Sequence, residues 1–565
     1  MITLRPAGDA ALLLEIAADV CDDQLAGNAA ARLAAAIRAA ALPGVVDVVP
    51  GAATVLVSHE PGSSGAAGLA VRLRALVSAP LPPPVLPAAS TAELVLDTVY
   101  DGPDLAEVAR LTGLSTAGVI ARHAAARYLV GWLGFSPGFG YLTGLDPALA
   151  AVPRRASPRV SVPAGSVAIA GGLAAAYPAA SPGGWCLLGR TDAALWDPGR
   201  DPPALLSPGQ HVRFRPVDRL RASAAPAIRP PESRGAGPIE VLQPGPLTTI
   251  QDLGRPGLAH LGVPGSGAAD AVSLRLANRL VGSPASAAGL EVTLGRLALR
   301  FDSGAVVAVT GAPVPMTLER PRERVPASDR GGERRHLRQR PGRLSRVLGG
   351  PIRAPDPRHG TAFAVPAGSV LRLGSPAVGL RSYLAVAGGI DVAPVLGSRS
   401  ADRLSGLGPP PLRPGDRLPV GRARSPVQKP PDDRPGTGGP AAGADPVPIR
   451  VIAGPRDDWF ARDALTSLAA GSYQVTPASD RTGLRLAGPP LARSPGRPGE
   501  LPSEGVAAGS LQVTHEGQPI LLLADHPTTG GYPVIAVVKV ADLGLAAQLR
   551  PGQRVRFAVS RTVLD

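Results

Sequence analysis

Lysine, cysteine and methionine are nearly absent from this sequence, and each shortage closes off a line of chemistry. Only Lys429 and Lys539 stand among 58 basic residues, which leaves 56 arginines. No GxxxxGKS/T phosphate loop is present, and neither lysine is placed to serve one. Cys21 and Cys186 lie far apart and form no metal or redox pair. No run of about 18 uncharged apolar residues occurs, which excludes a membrane-spanning helix. The N-terminus, MITLRPAGDAALLLEIAADV, brackets its short apolar run with Asp9 and Glu15 and shows no cleavage site, so it is no signal peptide. The expected location is the cytoplasm. Aromatics are only 3% of the chain, so its cores must rest on Val, Leu, Ile and Ala.

What is abundant is glycine (69) and proline (65). Each ends helices and builds turns, so the composition points to a mainly β (α+β) protein. At 565 residues the chain needs three or four folding units. The net charge of +14 invites a nucleic-acid reading, but its distribution argues against one. Between Arg320 and Arg358, twelve arginines face only Glu323, Asp329, Glu333 and Asp356. A local excess of eight in a Gly/Pro-broken stretch reads as a solvated loop. No recognition helix, zinc site or aromatic RNA-binding strand accompanies it.

Residues 1–80 read as a small α/β unit, with a strand at Ala10–Ile16, a helix at Ala29–Ala41 and a hairpin of Val45–Val49 and Thr54–Val57. A proline-rich linker follows. Residues 91–218 open with a strand (Glu93–Tyr100) and one helix (Asp104–Tyr128). Residues 219–238 form a second linker. Residues 239–420 make a third unit, interrupted by the arginine-rich loop 319–358. Residues 421–448 are a third linker, and 449–565 a last unit. The chain also echoes itself. VPAGSV occurs at 162–167 and at 365–370; PGQHVRF at 208–214 returns as PGQRVRF at 551–557. Each echo is a glycine turn leading into an alternating strand, and duplication explains the pairs better than chance.

In the first half the distinctive segments are GWLGFSPGFGYLT (131–143), PRRASPRVSVPAGSVAIAGG (153–172) and YPAASPGGWCLLGRT (177–191). They resemble the family of the B-type subunit of 5-oxoprolinase, also called allophanate hydrolase subunit 1, which includes a sporulation kinase inhibitor. In the second half, GPLTTIQDLGRPGLAHLGVPGSGAAD (245–270), YLAVAGGIDV (383–392), ASDRTGLRLAG (478–488) and ADHPTTGGYPVIAVV (524–538) resemble the C-type subunit, or allophanate hydrolase subunit 2. The resemblance implies cyclophilin-like β-barrels in both halves. It implies a separate partner, the A-type subunit of the LamB/YcsF kind, and conversion of 5-oxo-L-proline to L-glutamate with hydrolysis of ATP and its Mg2+. A homo-oligomer is open. Where the family has a compact hairpin, this chain carries its arginine-rich stretch.

Opening a lactam needs an activated carbonyl, and phosphorylating its oxygen would supply one. Without a lysine loop, phosphates would be held by arginine forks and the N–H groups of glycine turns. Four clusters of the second half qualify. Asp252 and Arg255 flank Gly254; Ser266 and Asp270 sit beside flexible backbone; Asp480, Arg481 and Thr482 form SDRTG. His526, Thr528, Thr529, Gly530 and Tyr532 belong to DHPTTGGY. Asp252, Arg255, Asp480 and Arg481 are the candidate catalytic residues, and the others candidate binding residues. Each cluster also reads as a satisfied turn, with Asp capping amides and Arg paired locally. In the first half Phe135, Phe139, Tyr141, Ser181 and Trp185 suit either a binding rim or barrel-closing turns. Arg154, Arg155 and Arg159 suit an anionic substrate or solvent. His123 reads as a core or capping histidine, with a catalytic base as the alternative.

Two other readings remain. The same modules occur in biotin-dependent urea carboxylase, but a biotinyl lysine is normally flanked by methionines. Met1 and Met316 adjoin neither lysine, so no covalent biotin is expected on this chain. A regulatory kinase-binding protein is the third, disfavoured because the fusion would tether an antagonist to its own target.

Overall fold

The computed structural model describes all residues except 1, 18–22, 63–64, 79–92, 156, 221–237, 321–356, 424–444, 498–500 and 561–565. Most of the expected linkers and of the arginine-rich stretch, and Cys21, thus lie outside the described residues. Strand outweighs helix, 36% to 17%, as the glycine and proline content requires.

An antiparallel sheet opens the chain, in order β1 (Ile2–Pro6), β2 (Ala11–Ile16), β4 (Thr54–His59), β3 (Val45–Pro50). Helices α1 (Asp23–Ala39) and α2 (Gly65–Val77) pack Leu33, Ile37, Leu69 and Leu73 onto Leu12, Leu14, Val55 and Val57. Each such side chain contributes about 1.5–3 kcal/mol when fully buried.

Next comes a seven-stranded sheet built from β5 (Leu94–Thr98), β6 (Tyr128–Leu133), β7 (Gly140–Thr143), β9 (Ser166–Ala170), β10 (Leu173–Ala176), β12 (Cys186–Arg190) and β13 (His211–Pro216). Two short strands, β8 (Arg159–Val162) and β11 (Ser181–Gly183), pair as a separate arm. The helix expected over Asp104–Tyr128 is two, α3 (Leu105–Thr112) and α4 (Thr116–Ala125). Gly113, at φ +69, ends the first in a left-handed cap, and the Ser115 hydroxyl, accepting from Gly118 N, starts the second. A short helix, α5 (Pro147–Ala150), follows β7.

The middle of the chain forms two five-stranded sheets around one core containing Val241, Leu290, Leu299, Val309 and Leu384. One sheet runs β19 (Met316–Glu319), β21 (Ser369–Leu373), β17 (Leu297–Phe301), β14 (Ile239–Pro244), β23 (Arg417–Leu418). The other runs β15 (Leu247–Gln251), β16 (Gly289–Thr293), β22 (Arg381–Val386), β18 (Ala305–Gly311), β20 (Ala362–Val365), with α6 (Ala271–Leu280) against β18 and β22.

A closed barrel ends the chain: β24 (Val447–Ala453), β31 (Val534–Val538), β28 (Ser510–Val513), β29 (Pro519–Leu522), β26 (Gly483–Ala487), β25 (Tyr473–Val475), β32 (Arg554–Ser560). A detached arm, β27 (Glu504–Gly505) with β30 (Thr529–Gly530), and helices α7 (Ala464–Ala470) and α8 (Val540–Ala547) complete it.

Counting its barrel strands one to seven along the chain, the last unit has the order 1-6-4-5-3-2-7, and its last strand lies parallel to its first. The seven-stranded sheet of the first half has the same order, the same parallel pairing of β13 with β5, and its arm at the same two places in sequence. Its edges meet through the Val99–Arg190 bridge, with N–O distances of 3.0 and 2.9 Å, which closes it into a second barrel. The PGQ-VRF echo falls on equivalent strands, β13 and β32. In both, the glycine before the strand has positive φ (+86 and +90), and alternate residues, Val212 with Phe214 and Val555 with Phe557, point inward. The VPAGSV echo behaves differently. Its copy at 365–370 belongs to the middle sheets, whereas the position in the last barrel matching 162–167 is VAAGSL, 506–511.

Candidate functional site

The second half concentrates its charges inside. Arg481, only 2% exposed, forks onto Asp525 at 2.9 and 2.8 Å, reaches Glu291 at 2.5 Å and donates to Gly267 O at 2.6 Å. Burial disfavours its charge, but Glu291 and Asp525 outweigh that and hold it firmly protonated. Glu291, in turn opposed by burial, stays ionised through Arg481 and Arg381.

Asp252 accepts from Gly254 N, Arg399 N and the hydroxyls of Ser398 and Ser400. Arg255 donates to Val395 O and Ser400 O. Ser266 donates to Asp525 at 2.8 Å, and Asp270 caps α6 while accepting from Gln548. Asp480, exposed, caps its own turn at Thr482 N and Gly483 N. Asp252, Arg255, Ser266, Asp270 and Arg481 therefore come together, but in a buried, hydrogen-bonded network that fastens the last barrel to the middle sheets. None of them lines the cavity described next.

That cavity, about 310 Å³, lies where the two barrels meet. The first barrel supplies Phe135, Phe139, Tyr141, Tyr177 and Trp185, with Arg154, Arg155, Pro158 and the pair Gly183–Gly184. The last supplies Ser503, Gln512, His515, Pro527, Thr529, the pair Gly530–Gly531 and Tyr532. The arms β8·β11 and β27·β30 place these loops. Ser181-Pro-Gly-Gly-Trp185 and Thr528-Thr-Gly-Gly-Tyr532 are counterparts, so each barrel offers a glycine pair followed by an aromatic ring. Both leading hydroxyls, Ser181 and Thr528, are buried and have no partner among the described residues.

The rings form a nearly continuous surface. Phe139 meets Tyr141, Tyr177 and Trp185 edge to face at 5.0–5.7 Å. The barrels are joined here by Thr529, whose hydroxyl accepts from Phe135 N at 2.8 Å and lies 3.2 Å from the Tyr141 hydroxyl. Phe135 has φ +62, a left-handed conformation costly for a side-chain-bearing residue, and that hydrogen bond helps hold it. Burial raises the Tyr141 pKa against the opposing effects of Thr529, Ser503 and Arg154, so its hydroxyl stays a donor. Arg154 donates to Ser503 at 3.4 Å.

Of the residues expected from sequence, Phe135, Phe139, Tyr141, Trp185, Thr529, Gly530 and Tyr532 line this cavity, and Ser181 and Thr528 sit just behind it. Arg159 does not line it: two bonds of 2.8 Å bind it to Asp104, a carboxylate that burial would raise but Arg159 holds low. His526 is half-buried beside Pro527 O, and desolvation lowers its pKa. Thr482 lies in the Asp480 turn. His123 is fully buried between Tyr128 and Phe214, bonded to the Tyr100 hydroxyl, with its pKa pushed down to about 3 by burial. It is a core residue. Sequence reasoning missed Tyr177, Ser503, Gln512 and His515; the paired Gly-Gly-aromatic tripeptides were the signal that would have led to their neighbourhood.

The fold and this junction have known counterparts. Residues 2–206 match the carboxyltransferase domain, subdomain C and D, and residues 261–330 and 352–559 match subdomain A and B of the same domain. The chain belongs to this carboxyltransferase family, with both subdomain pairs in one polypeptide. It is 36% identical to the C-type subunit of 5-oxoprolinase from Escherichia coli (strain K12) over 56% of this chain and 90% of that protein. It is 54% identical to the B-type subunit of 5-oxoprolinase from Escherichia coli O157:H7 over 20% of this chain, a segment spanning 52% of that protein. Urea amidolyase of Saccharomyces cerevisiae is 31% identical over 56% of this chain and 16% of that protein. The crystal structure of TTHA0988 superposes with a TM-score of 0.78 at 34% identity, covering 98% of this chain and all of that one. No helix among the described residues is long and apolar enough to cross a membrane.

Proposed function

We propose that this chain is the fused B-type and C-type part of an ATP-dependent 5-oxoprolinase, which opens 5-oxo-L-proline to L-glutamate together with a separate A-type subunit of the LamB/YcsF kind. The observation that carries the reading is that neither half makes the cavity alone. Five aromatic rings and both arginines come from the B-type half, Ser503, Thr529, Gln512, His515 and the Tyr532 ring from the C-type half, and a glycine pair from each.

The chemistry suits a small, nearly planar ring bearing a carboxylate. Arg154 is the group to fork onto that carboxylate, and the Trp185 and Tyr532 rings offer faces for the lactam. Thr529 and Tyr141 place hydroxyls across the barrel junction, where the lactam oxygen gains negative charge as it is activated. ATP would supply the phosphoryl group. Its Mg2+ would arrive with the nucleotide, since this ion is commonly held by substrate phosphates with only one or two carboxylates. Asp252, Arg255 and Arg481 become positioning residues in this account. Asp525, held by Arg481 and Ser266, anchors the chain four residues before Thr529.

The urea amidolyase likeness makes carboxyl transfer to a urea-type substrate the rival reading. Reconstitution separates them. With this chain and its LamB/YcsF-type partner present, ATP hydrolysis should depend on 5-oxoproline and yield glutamate. Glutamate release that is unchanged when this chain is omitted would refute the assignment.

A further inference from the structure

A second cavity, about 540 Å³, lies behind the first. Ala52 and Ala53, between β3 and β4, form one wall; Thr143, Ala150 and the Gly171–Gly172 turn belong to the first barrel, and Leu501 and Pro502 to the last. Arg154 and Ser503 line both cavities. Between the two stands a stacked ring pair, Trp132 and Tyr141, 4.6 Å apart and 13° from parallel. Trp132 lines the second cavity and Tyr141 the first.

Two observations point to a ligand. Trp132 is 1% exposed, and its indole N–H has no hydrogen-bond partner among the described residues. An indole nitrogen only donates, and leaving a buried donor unmatched costs about 1–3 kcal/mol. Arg154 is the one charged residue among those lining the second cavity, and it sits at the shared wall; the rest is mainly Ala, Gly, Leu and Pro. Both volumes fall in the range of about 300–1,000 Å³ typical of small-molecule sites.

We propose that the second cavity binds an organic anion with a flat, mainly apolar body, whose acceptor takes the Trp132 N–H and whose negative end meets Arg154. Arg154 then faces ligands on both sides and couples the two cavities. Nucleoside phosphates and small cyclic carboxylic acids share this chemistry. The cavity is argued from its own residues, while the two probe ligands rest on the proposed reaction.

Calorimetric titration of the full chain tests it, with a non-hydrolysable ATP analogue in one arm and 5-oxoproline in the other. Ala150 ends α5 and lines only the second cavity, so Ala150→Trp fills that space. Trp132→Phe keeps the stacked ring and removes the donor. In at least one arm, Kd should rise by about tenfold or more in Ala150→Trp, and by about three- to tenfold in Trp132→Phe, the worth of one hydrogen bond. The arm that responds names the ligand class. Unchanged affinity in either variant, or no binding in either arm, overturns the proposal while leaving the reconstituted reaction as a separate question.

Discussion

The two barrels are built on one strand order, yet they bring different chemistry to the cavity between them. From the first come five aromatic rings and two arginines; from the last come hydroxyls, an amide, an imidazole and a single ring. The shared topology fixes where the arms and their glycine pairs stand. The side chains on those loops were then free to diverge, because a barrel core depends on inward residues such as Val212 and Val555 and not on what its arm displays. A second contrast follows the first. Arg481 of the last barrel is locked into a buried network, whereas Arg154 of the first stands at the junction of two cavities.

The sharpest test of that contrast is to remove each arginine. Arg481→Leu strands Asp525 without its forked partner and leaves Glu291 with Arg381 alone, and breaking a buried pair in this way costs about 3–5 kcal/mol. Denaturant unfolding should show that loss, and Arg481→Lys, which keeps a charge but not the fork, should recover part of it. Arg154→Ala should leave the unfolding midpoint nearly unchanged while lowering 5-oxoproline-dependent turnover of the reconstituted complex by about 10- to 100-fold, the worth of a charged hydrogen bond. Reversed outcomes would interchange the roles assigned to the two arginines.

Smaller effects are expected from the glycine pairs. A Cβ on Gly531 would stand 2.7 Å from an Arg154 guanidinium nitrogen, and one on Gly183 would collide with the Tyr177 hydroxyl. Gly531→Ala should raise KM for 5-oxoproline several-fold, on the order of 1 kcal/mol, by displacing the arginine. Gly183→Ala should act more weakly, because Tyr177 contributes a face and not a charge. Equal effects on KM would show that the two arms contribute alike, contrary to their different side chains.

The sequence showed the turn-rich β architecture and the duplication, because glycine turns and alternating strands are local features. PGQHVRF and PGQRVRF fell on equivalent strands for that reason. VPAGSV misled, since the same turn chemistry at 365–370 serves a crossing from β20 in one middle sheet to β21 in the other. Phe135, Tyr141, Trp185 and Thr529, which line the cavity between the barrels, drew notice in sequence because they sit in glycine-rich turns with aromatic neighbours. Asp252 and Arg481 looked equally polar in sequence, and only tertiary packing distinguishes a buried internal network from an open cavity. Arg154 and Arg159, five residues apart, could not be separated either: Asp104, distant in sequence, binds Arg159, whereas Arg154 lines the cavity beside Ser503.

The smallest expected effect probes the network from its edge. Asp402 accepts from Leu404 N and the Ser405 hydroxyl, and its pKa is raised to about 6 by burial, with the negative charge of Asp525 adding to the shift. An unfolded aspartate titrates near pH 4, so between about pH 4 and 6 the folded chain holds more protons than the unfolded one. This group's contribution to stability is therefore greatest below that window and declines as pH rises through it. Asp402→Asn cannot ionise, so its stability relative to wild type should improve from pH 4 to pH 6.5, read as the difference in denaturant midpoints. A difference that stays flat across the window would show that Asp402 is ionised throughout, and that Arg481 and its neighbours neutralise Asp525 more completely than the packing implies.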